Sequence, residues 1–351
     1  MKTRLCVLNY EKIDQEVIEE AGSIIKKGGL VAFPTETVYG LGGDALNPSS
    51  SAKIYAAKGR PSDNPLIVHI ADMESLHRIV KNVPEQAVRL AEAYWPGPLT
   101  MIFQKTEEVP LETTGGLQTV AVRMPDDPVA LAFIKAAGGY IAAPSANTSG
   151  KPSPTLARHV AEDMNGKIEM ILDGGAVGIG LESTIVDLTC EKPMILRPGY
   201  VTETMIAKVL GEVDTDKTIL DNNSKVAPKA PGMKYRHYAP NGELVIVEGE
   251  THKVVSYINE KLAQYHSQNA KTGVIATDET CELYEADVVK SAGKRTDEAA
   301  IAHQLYAFLR DFDSEQVQYI FAESFATDGV GQAIMNRLLK AAGHKIIHLD
   351  E

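Results

Sequence analysis

Cysteine is scarce in this sequence. Cys6, Cys190 and Cys281 are the only three cysteines among 351 residues, and no CxxC pair is present. Cysteines so far apart form neither a disulfide framework nor a cysteine zinc site, which points to a reducing compartment. The length suggests two or three domains and is ample for large hydrophobic cores.

Long apolar runs are missing as well. No segment approaches the roughly 20 apolar residues that cross a bilayer, so we predict no membrane contact. The opening stretch MKTRLCVLNYEKIDQE carries charges inside any would-be apolar core, which argues against a signal peptide. We therefore expect a soluble, cytoplasmic protein.

Positive charge is in deficit. The formal net charge is -12, of which residues 241–351 carry -8 and residues 1–240 carry -4. This balance argues against a long basic stripe for nucleic acid. An anionic ligand would instead need a small, focused basic pocket.

Several motifs with known chemistry are also absent. The sequence has no GxxxxGK[ST] phosphate loop and no GxSxG nucleophile elbow. DGVGQA (328–333) lacks the third glycine of a dinucleotide fingerprint, so we interpret it as a turn at a helix start. His344 and His348 lie four apart without a carboxylate or cysteine partner, and a structural role is favoured over a metal site.

The first 200 residues alternate β-rich runs with helical patterns. This alternation predicts an α/β domain built on a large twisted mixed sheet. Strands are predicted at 28–33, 65–70, 99–104, 118–124, 140–144, 169–173, 183–188 and 194–199. Helices are predicted at 49–58, 84–95, 128–137 and 155–163, and a short helix and strand at 201–216.

A segment rich in proline and asparagine separates this region from a second one. We predict a catalytic domain at 1–215, a linker at 216–243 and a second domain at 244–351. Five strands alternating with four helices indicate a small doubly wound, Rossmann-like domain. These strands are predicted at 244–248, 272–276, 286–290, 317–322 and 345–349, and the helices at 252–266, 278–284, 296–312 and 330–342.

The segment KGRPSDNPL (58–66) places two cations at a helix end. Pro61 forbids continuation of the helix and Pro65 biases the chain to extend, so Lys58 and Arg60 lie on a rigid corner. Taken alone, two solvated charges at a helix C-terminus would explain the pattern, because the helix dipole favours them.

The loops after other strands make a functional interpretation stronger. PTETVYGLGGDA (34–45) and PSANTSGKPSPT (144–155) are predicted loops rich in hydroxyl and amide groups, and Arg123 and Arg197 end two strands. Ligands gather at the C-terminal ends of strands in open α/β sheets. Hydroxyls, backbone amides and separated cations there suit an anionic ligand such as a nucleotide.

These segments resemble motifs of the threonylcarbamoyl-AMP synthase family, which has the YrdC-like fold. KGRPSDNPL is similar to its KxR motif, and PSANTSG is similar to its SxN motif at Ser145 and Asn147. FPTETVYGLG, WPGPLT, VAVRMP, ESTIVD and LRPG all stand in the family's order. PGMKYRHYAP (231–240) resembles the linker of the long, two-domain form, and FATDGVGQAIMNRLLKAA (325–342) resembles its C-terminal domain.

The resemblance implies an enzyme that combines L-threonine, bicarbonate and ATP and releases pyrophosphate and L-threonylcarbamoyl-AMP. A separate threonylcarbamoyl transferase would then modify adenosine in tRNA. Mg²⁺ would accompany ATP, held mainly by phosphate oxygens and water. Because no covalent enzyme intermediate is required, catalysis would rest on positioning and on neutralising phosphate charge.

The same resemblance assigns residues to the two substrates. Lys58 and Arg60 would be the catalytic cations. The proposed ATP contacts are Lys58, Arg60, Ser62, Thr119, Ser145, Asn147, Ser153, Arg197 and His237. The proposed threonine contacts are Thr35, His69, Arg123, Ala143 and Ser183. Without the family pattern, His69 would be interpreted as a buried strand histidine, because it alternates within PLIVHI.

The linker gains a role as a lid by the same comparison. A mobile cationic segment could close over ATP and exclude water from a labile adenylate. Its candidate residues are Lys234, Tyr235, Arg236, His237 and Tyr238. A tether packed on the surface is the plainer alternative.

Three other functions stay open on the sequence alone. Single-domain relatives of this fold suggest an RNA-binding protein, for tRNA or rRNA, although the acidic total argues against it as the main role. Carbamoyl transfer in hydrogenase maturation would require cysteine-rich zinc modules, which are missing. A regulatory protein could bind an effector in the second domain.

Overall fold

The computed structural model describes residues 2–216 and 237–349. The chain divides into two compact units. The first comprises Met1–Ser149 and Ser153–Tyr235, and the second comprises Gly150–Pro152 and Arg236–Glu351. The predicted class, a large mixed sheet domain followed by a smaller α/β domain, is confirmed.

Within the described residues, the first unit is built on an eleven-stranded sheet with the order β1-β8-β2-β3-β7-β4-β6-β5-β9-β10-β11. Parallel and antiparallel pairs are mixed, since β4 runs parallel to β6 while β5 runs antiparallel to it. The strands are β1 (Arg4–Val7), β2 (Val31–Phe33), β3 (Gly40–Asp44), β4 (Ile67–His69), β5 (Leu99–Gln104), β6 (Thr119–Arg123), β7 (Ile141–Ala142), β8 (Met170–Asp173), β9 (Thr184–Asp187), β10 (Met194–Arg197) and β11 (Asp214–Thr215).

Two helices of this unit begin at capping residues that the sequence shows. Asp14 accepts hydrogen bonds from the first turn of α1, and Asn47 does the same for α2, which has proline at its first position. Gly59 ends α2 with a φ of 61°, a conformation that favours glycine. The helices are α1 (Gln15–Lys26), α2 (Pro48–Lys58), α3 (Leu76–Ile79), α4 (Glu85–Tyr94), α5 (Pro128–Ala136), α6 (Ala157–Met164) and α7 (Glu203–Leu210).

Alternate residues of the central strands face different layers. Val68, Met101 and Val122 belong to the large hydrophobic core on one face of the sheet. Their neighbours along the strands form a smaller apolar patch on the opposite face: Ile67, Ile102, Ala121, Ile185 and Leu196. A third cluster packs α1 and α5 against β1, β2 and β8. The predicted site residues His69 and Arg123 belong to the face with the smaller patch.

The second unit contains a sheet with the order β14-β13-β15-β12-β16, in which each described pairing is parallel. Its strands are β12 (Glu243–Glu248), β13 (Thr272–Ala276), β14 (Val288–Ser291), β15 (Tyr319–Glu323) and β16 (Ile346–His348). Its helices are α8 (Thr251–His266), α9 (Glu298–Ser314) and α10 (Gly331–Ala341).

Two predictions of local structure are wrong. The loop expected at 34–45 contains strand β3, whose glycines hide it from propensity-based reasoning. They are needed because a Cβ at Gly42 would lie 2.9 Å from the side chain of Ile141. The helix expected at 278–284 is a single 3₁₀ turn, Cys281–Leu283, following a turn in which the hydroxyls of Thr277 and Thr280 contact each other.

Four elements of the first unit were not predicted. They are β1, α1, β3 and α3. In α1, Ile18, Ala21, Gly22 and Ile25 form one buried face, a helical spacing that could have revealed it. Among the described residues, every helix falls short of the length and apolar composition that a bilayer crossing needs.

Candidate active site

One row of residues crosses five strands of the large sheet. His69 on β4 pairs with Arg123 on β6, and Arg123 pairs with Thr100 on β5. Thr100 pairs in turn with Ile185 on β9, which pairs with Arg197 on β10. Since paired residues on neighbouring strands lie side by side, two buried arginines and a buried histidine come into one row. This row cannot be read from the sequence, because some neighbouring strands in the sheet are not consecutive along the chain.

Arg123 lies at the centre of this row and is 4% exposed. Its Nη1 donates to Thr37 Oγ1 over 2.8 Å, and its Nε donates to the carbonyl of Gly97 over 3.2 Å. Its Nη2 lies 2.6 Å from Glu36 Oε1 and forms a buried ion pair. A guanidinium has five N–H groups, so donors remain for the carboxylate of a ligand.

Thr35 is joined to Arg123 through the loop between β2 and β3. The Thr35 hydroxyl lies 2.9 Å from Thr37 Oγ1 and donates to the carbonyl of Val38 over 2.7 Å. The loop is fixed from outside, because the amide of Ile179 donates to the carbonyl of Glu36 over 2.8 Å. Thr35 and Arg123, predicted to bind threonine, therefore belong to one hydrogen-bonded group.

His69 is neutral in this environment. Burial lowers the pKa of its ring to about 3, and the positive charge of Arg123 contributes to the shift. Its Nδ1 lies 3.1 Å from the carbonyl of Ile67. A proton on Nδ1 would make that contact a hydrogen bond and leave Nε2 as the acceptor.

The end of the row holds Ser183 against Arg197. Arg197 Nε donates to the Ser183 carbonyl over 3.0 Å, and its Nη2 donates to Ser183 Oγ over 3.2 Å. Ser183 Oγ also lies 2.8 Å from Thr100 Oγ1. Gly199 allows the LRPG loop to approach, since a Cβ there would lie 2.4 Å from the amide nitrogen of Thr184. Arg197, predicted to bind ATP, thus contacts Ser183, predicted to bind threonine.

Lys58 links the KxR and SxN segments. Its Nζ donates to the carbonyls of Ser145 and Asn147 over 2.5 and 2.6 Å, and the side chain is almost fully buried. Ser145 Oγ donates to Asn147 Oδ1 over 2.5 Å. The cation at the end of α2 therefore fixes a loop 87 residues further along the chain and carries its charge there.

The other predicted ATP residues lie in different surroundings. Arg60 folds back on its own corner, where its Nε donates to the carbonyl of Asn64 and its Nη2 to that of Pro65. Ser62 is exposed, beside the surface pocket that Leu111 and Gly115 also line. Thr119 opens β6, and Ser153 Oγ donates to the buried carboxylate of Glu182 over 2.5 Å.

The remaining predicted residues divide between described and undescribed parts of the chain. Ala143 follows β7 and donates its amide to the carbonyl of Ile67 over 2.9 Å. The rings of His237 and Tyr238 lie 5.5 Å apart, and Tyr238 packs on Tyr306. Lys234, Tyr235 and Arg236 lie outside the described residues.

Three residues of this site were missed by sequence reasoning: Glu36, Thr100 and Glu182. They lie inside FPTETVYGLG, WPGPLT and ESTIVD respectively, and Glu36 and Glu182 are carboxylates in loops of small and hydroxyl residues. A carboxylate among such residues is the signal that could have identified the two glutamates. Among residues 2–216 and 237–349, no three His, Cys, Asp or Glu side chains gather in a way that could hold a metal ion.

Comparisons with known proteins agree with this geometry. The family model described as "Telomere recombination" matches residues 23–199, and that of the "Threonylcarbamoyl-AMP synthase, C-terminal domain" matches residues 201–343. A threonylcarbamoyl-AMP synthase of Bacillus subtilis is 50% identical over 331 residues, covering 94% of each chain. The corresponding enzyme of Pyrococcus abyssi is 50% identical over 337 residues, covering 96% of this chain and 97% of its own.

A solved structure extends the likeness to the whole fold. The crystal structure of P. abyssi Sua5 complexed with L-threonine matches with a TM-score of 0.94 and 48% identity, over 99% of this chain and 100% of that one. The resemblance inferred from the motifs is confirmed. The chain belongs to the threonylcarbamoyl-AMP synthase family and is a nucleotidyltransferase.

Proposed function

We propose that this enzyme condenses L-threonine, bicarbonate and ATP on the face of the large sheet that carries His69, Arg123 and Arg197. The observation that carries this proposal is the row of buried cations and hydroxyls, because it offers one surface to both an amino acid and a nucleotide. The threonine complex of the P. abyssi relative supports threonine as one of the substrates.

The reaction needs no bond between substrate and enzyme. The amine of threonine attacks the carbon of bicarbonate or of carbon dioxide derived from it, and water leaves in the bicarbonate case. A carbamate oxygen then attacks the α-phosphorus of ATP. The bond from that phosphorus to the bridging oxygen breaks, and pyrophosphate leaves with the electron pair. Positioning of the two substrates and neutralisation of charge would supply most of the rate.

Arg123 would bind the carboxylate of threonine with its remaining N–H groups. Thr35 and Ser183 would offer hydroxyls beside it, and the neutral ring of His69 would add an acceptor without a charge. The backbone of Ala143 would close this side of the pocket. The arrangement suits an amino acid with a polar side chain because hydroxyls and a neutral imidazole surround the arginine.

The nucleotide would be bound by Lys58, Arg60 and Arg197. Lys58 would act in two ways, by bringing a positive charge toward the phosphates and by fixing the loop of Ser145 and Asn147. Ser62, Thr119, Ser153 and His237 complete the proposed ATP contacts. Mg²⁺ would arrive with ATP as its counter-ion, bound mainly by phosphate oxygens and water.

Further assignments follow from the product. A threonylcarbamoyl adenylate is a labile mixed anhydride, so a threonylcarbamoyl transferase must consume it for tRNA modification. We place the enzyme in the cytoplasm for that reason. Direct contact with tRNA would show as binding that weakens steeply with salt.

The test is pyrophosphate release from ATP, Mg²⁺ and bicarbonate with each amino acid in turn. We expect release with L-threonine that depends on bicarbonate, and loss of that release in Lys58→Ala and Arg60→Ala. Equal release with L-serine would contradict a pocket that selects threonine. Release that needs no amino acid would contradict the proposed reaction.

A further inference from the structure

Glu36 is a buried carboxylate for which the reaction above has no use. Its side chain is 13% exposed, and both carboxylate oxygens are shielded from solvent. Oε1 is held by Arg123 as an ion pair, and neither oxygen accepts a hydrogen bond from a described residue. Oε2 is therefore buried without a donor from the part of the chain that the structure describes.

Such an oxygen is expensive to bury. A carboxylate removed from water is destabilising unless donors satisfy it, and one arginine nitrogen leaves most of its lone pairs without a donor. The backbone of the loop is fixed, because Ile179 and Gly180 donate their amides to the carbonyls of Glu36 and Thr37, and the ion pair with Arg123 holds the side chain. The fold thus holds an acceptor in place for a donor that the described residues do not supply.

The charges around Glu36 indicate which donor is missing. Asp127 is a second buried carboxyl nearby. Burial raises its pKa, and the negative charge of Glu36 adds to the rise. The ring of His69 is neutral, so it adds no positive charge beside Arg123 and Glu36. A further positive charge beside Glu36 and Asp127 would therefore be electrostatically favourable.

The pair of Glu36 and Arg123 matches an α-amino acid. Its two opposite charges lie side by side, with Oε1 and Nη2 2.6 Å apart. An α-amino acid likewise carries its ammonium and carboxylate groups on one carbon. A ligand carboxylate on the remaining N–H groups of Arg123 would bring its own nitrogen toward Glu36.

We propose that Glu36 binds the amino group of the threonine substrate, so that Glu36 and Arg123 together recognise the zwitterionic end of the amino acid. This inference rests on the proposed function, which makes threonine the ligand of this pocket. Glu36 would also aim the nitrogen at the incoming carbon once the amine has lost a proton to solvent. The pocket would then select for an α-amine as well as binding a carboxylate.

The test compares two ligands by calorimetric titration of the full chain without ATP. L-Threonine is one probe, and 3-hydroxybutanoate, which keeps the carboxylate, hydroxyl and methyl groups but lacks the amine, is the other. We expect wild type to bind threonine at least 10-fold more tightly than 3-hydroxybutanoate. In Glu36→Gln, threonine affinity should fall about 10- to 100-fold while 3-hydroxybutanoate affinity stays the same or rises.

The outcomes separate this inference from the function on which it rests. If wild type binds neither probe, the threonine pocket itself is wrong. If wild type binds threonine and Glu36→Gln keeps the same preference over 3-hydroxybutanoate, the role of Glu36 is wrong. Glu36→Asp, which keeps the charge, should retain part of the preference, and Glu108→Gln, which removes a surface ion pair with Arg78, should retain all of it. Should the Glu36 variants fail to fold, equal wild-type affinity for the two probes would still overturn the inference.

Discussion

Two buried carboxylates, one in each unit, differ in how their hydrogen-bonding needs are met. In the second unit, Glu323 at the end of β15 is 2% exposed and fully satisfied from within. Its Oε1 accepts hydrogen bonds from the hydroxyls of Thr280 and Tyr284, and its Oε2 pairs with Arg295. In the first unit, Glu36 has an ion pair on one oxygen and no described donor on the other.

This difference separates a structural charge from a binding charge. Glu323 lies at the carboxyl end of a parallel sheet, where ligands often bind, yet three donors already occupy it. The carboxylate oxygens of Glu36 are also shielded from solvent, but Arg123 and Glu36 keep hydrogen-bonding groups that no described residue uses. Position in the fold alone would make both sites candidates for ligand binding. The unused hydrogen-bonding groups favour the site in the first unit.

Breaking the Glu36–Arg123 pair should have the largest effect. Arg123→Leu leaves Glu36 buried without a counter-ion, and we expect a loss of about 3–5 kcal/mol in the free energy of unfolding. Threonine binding should also disappear. Urea unfolding of the full chain measures the stability, and calorimetry measures the binding.

The double variant Arg123→Leu with Glu36→Leu sharpens this test. It leaves no unpaired charge, so it should recover much of the lost stability without recovering threonine binding. If Arg123→Leu alone were as stable as wild type, the ion pair between Glu36 and Arg123 would be contradicted.

Removing the charge of Lys58 should be the next largest effect. Lys58→Met keeps the apolar stem but strips the donor from two carbonyls, and turnover should fall about 100-fold or more because charge stabilisation is lost. Pyrophosphate release measures it. Lys192→Met, an exposed lysine paired with Glu212 and Asp214, is the control and should retain full activity. Turnover within threefold of wild type in Lys58→Met would refute its role.

The pH dependence of stability tests the burial of His69. Its folded pKa of about 3 lies below the ordinary value of 6.5, so the unfolded chain takes up a proton that the folded chain refuses as pH falls. The contribution of neutral His69 to the free energy of unfolding is fully present above pH 6.5 and is lost as the pH falls below that value. We expect the free energy of unfolding to fall by about 2 kcal/mol between pH 7 and pH 5 for this reason. The difference between wild type and His69→Gln in urea unfolding isolates this slope. Parallel pH curves for the two proteins would show that His69 titrates normally.

A change at Glu323 should have the smallest effect and none on substrates. Glu323→Gln weakens the contact with Arg295, and we expect a loss of about 1–2 kcal/mol in the stability of the second unit. Calorimetry should give the wild-type affinity for threonine. A loss of threonine affinity would mean that this carboxylate is not simply structural.

Much of the fold could be predicted because its strands are short, apolar and bounded by glycine or proline. The interpretation of 99–104 as a strand matches β5 at both ends. Strand β3 could not be predicted in this way, since its glycines are selected by contact with Phe33 and Ile141 rather than by strand preference. Close packing between distant segments leaves little trace in local sequence.

The site shows the same limit. Motif resemblance supplied Lys58, Arg123 and Ser183 as candidates, but the row that joins His69 to Arg197 depends on strand pairings out of chain order. Glu36 was missed because a carboxylate inside a loop motif is usually solvated. Its burial follows from the ion pair with Arg123, a contact 87 residues away along the chain.

The most direct test of the account is a crystal structure of the full chain with L-threonine and a non-hydrolysable ATP analogue. We predict threonine with its carboxylate on Arg123 and its nitrogen on Glu36, and the triphosphate beside Lys58 and Arg60. A nucleotide bound away from positions 58 and 60, or threonine bound beside Glu323 in the second unit, would contradict it.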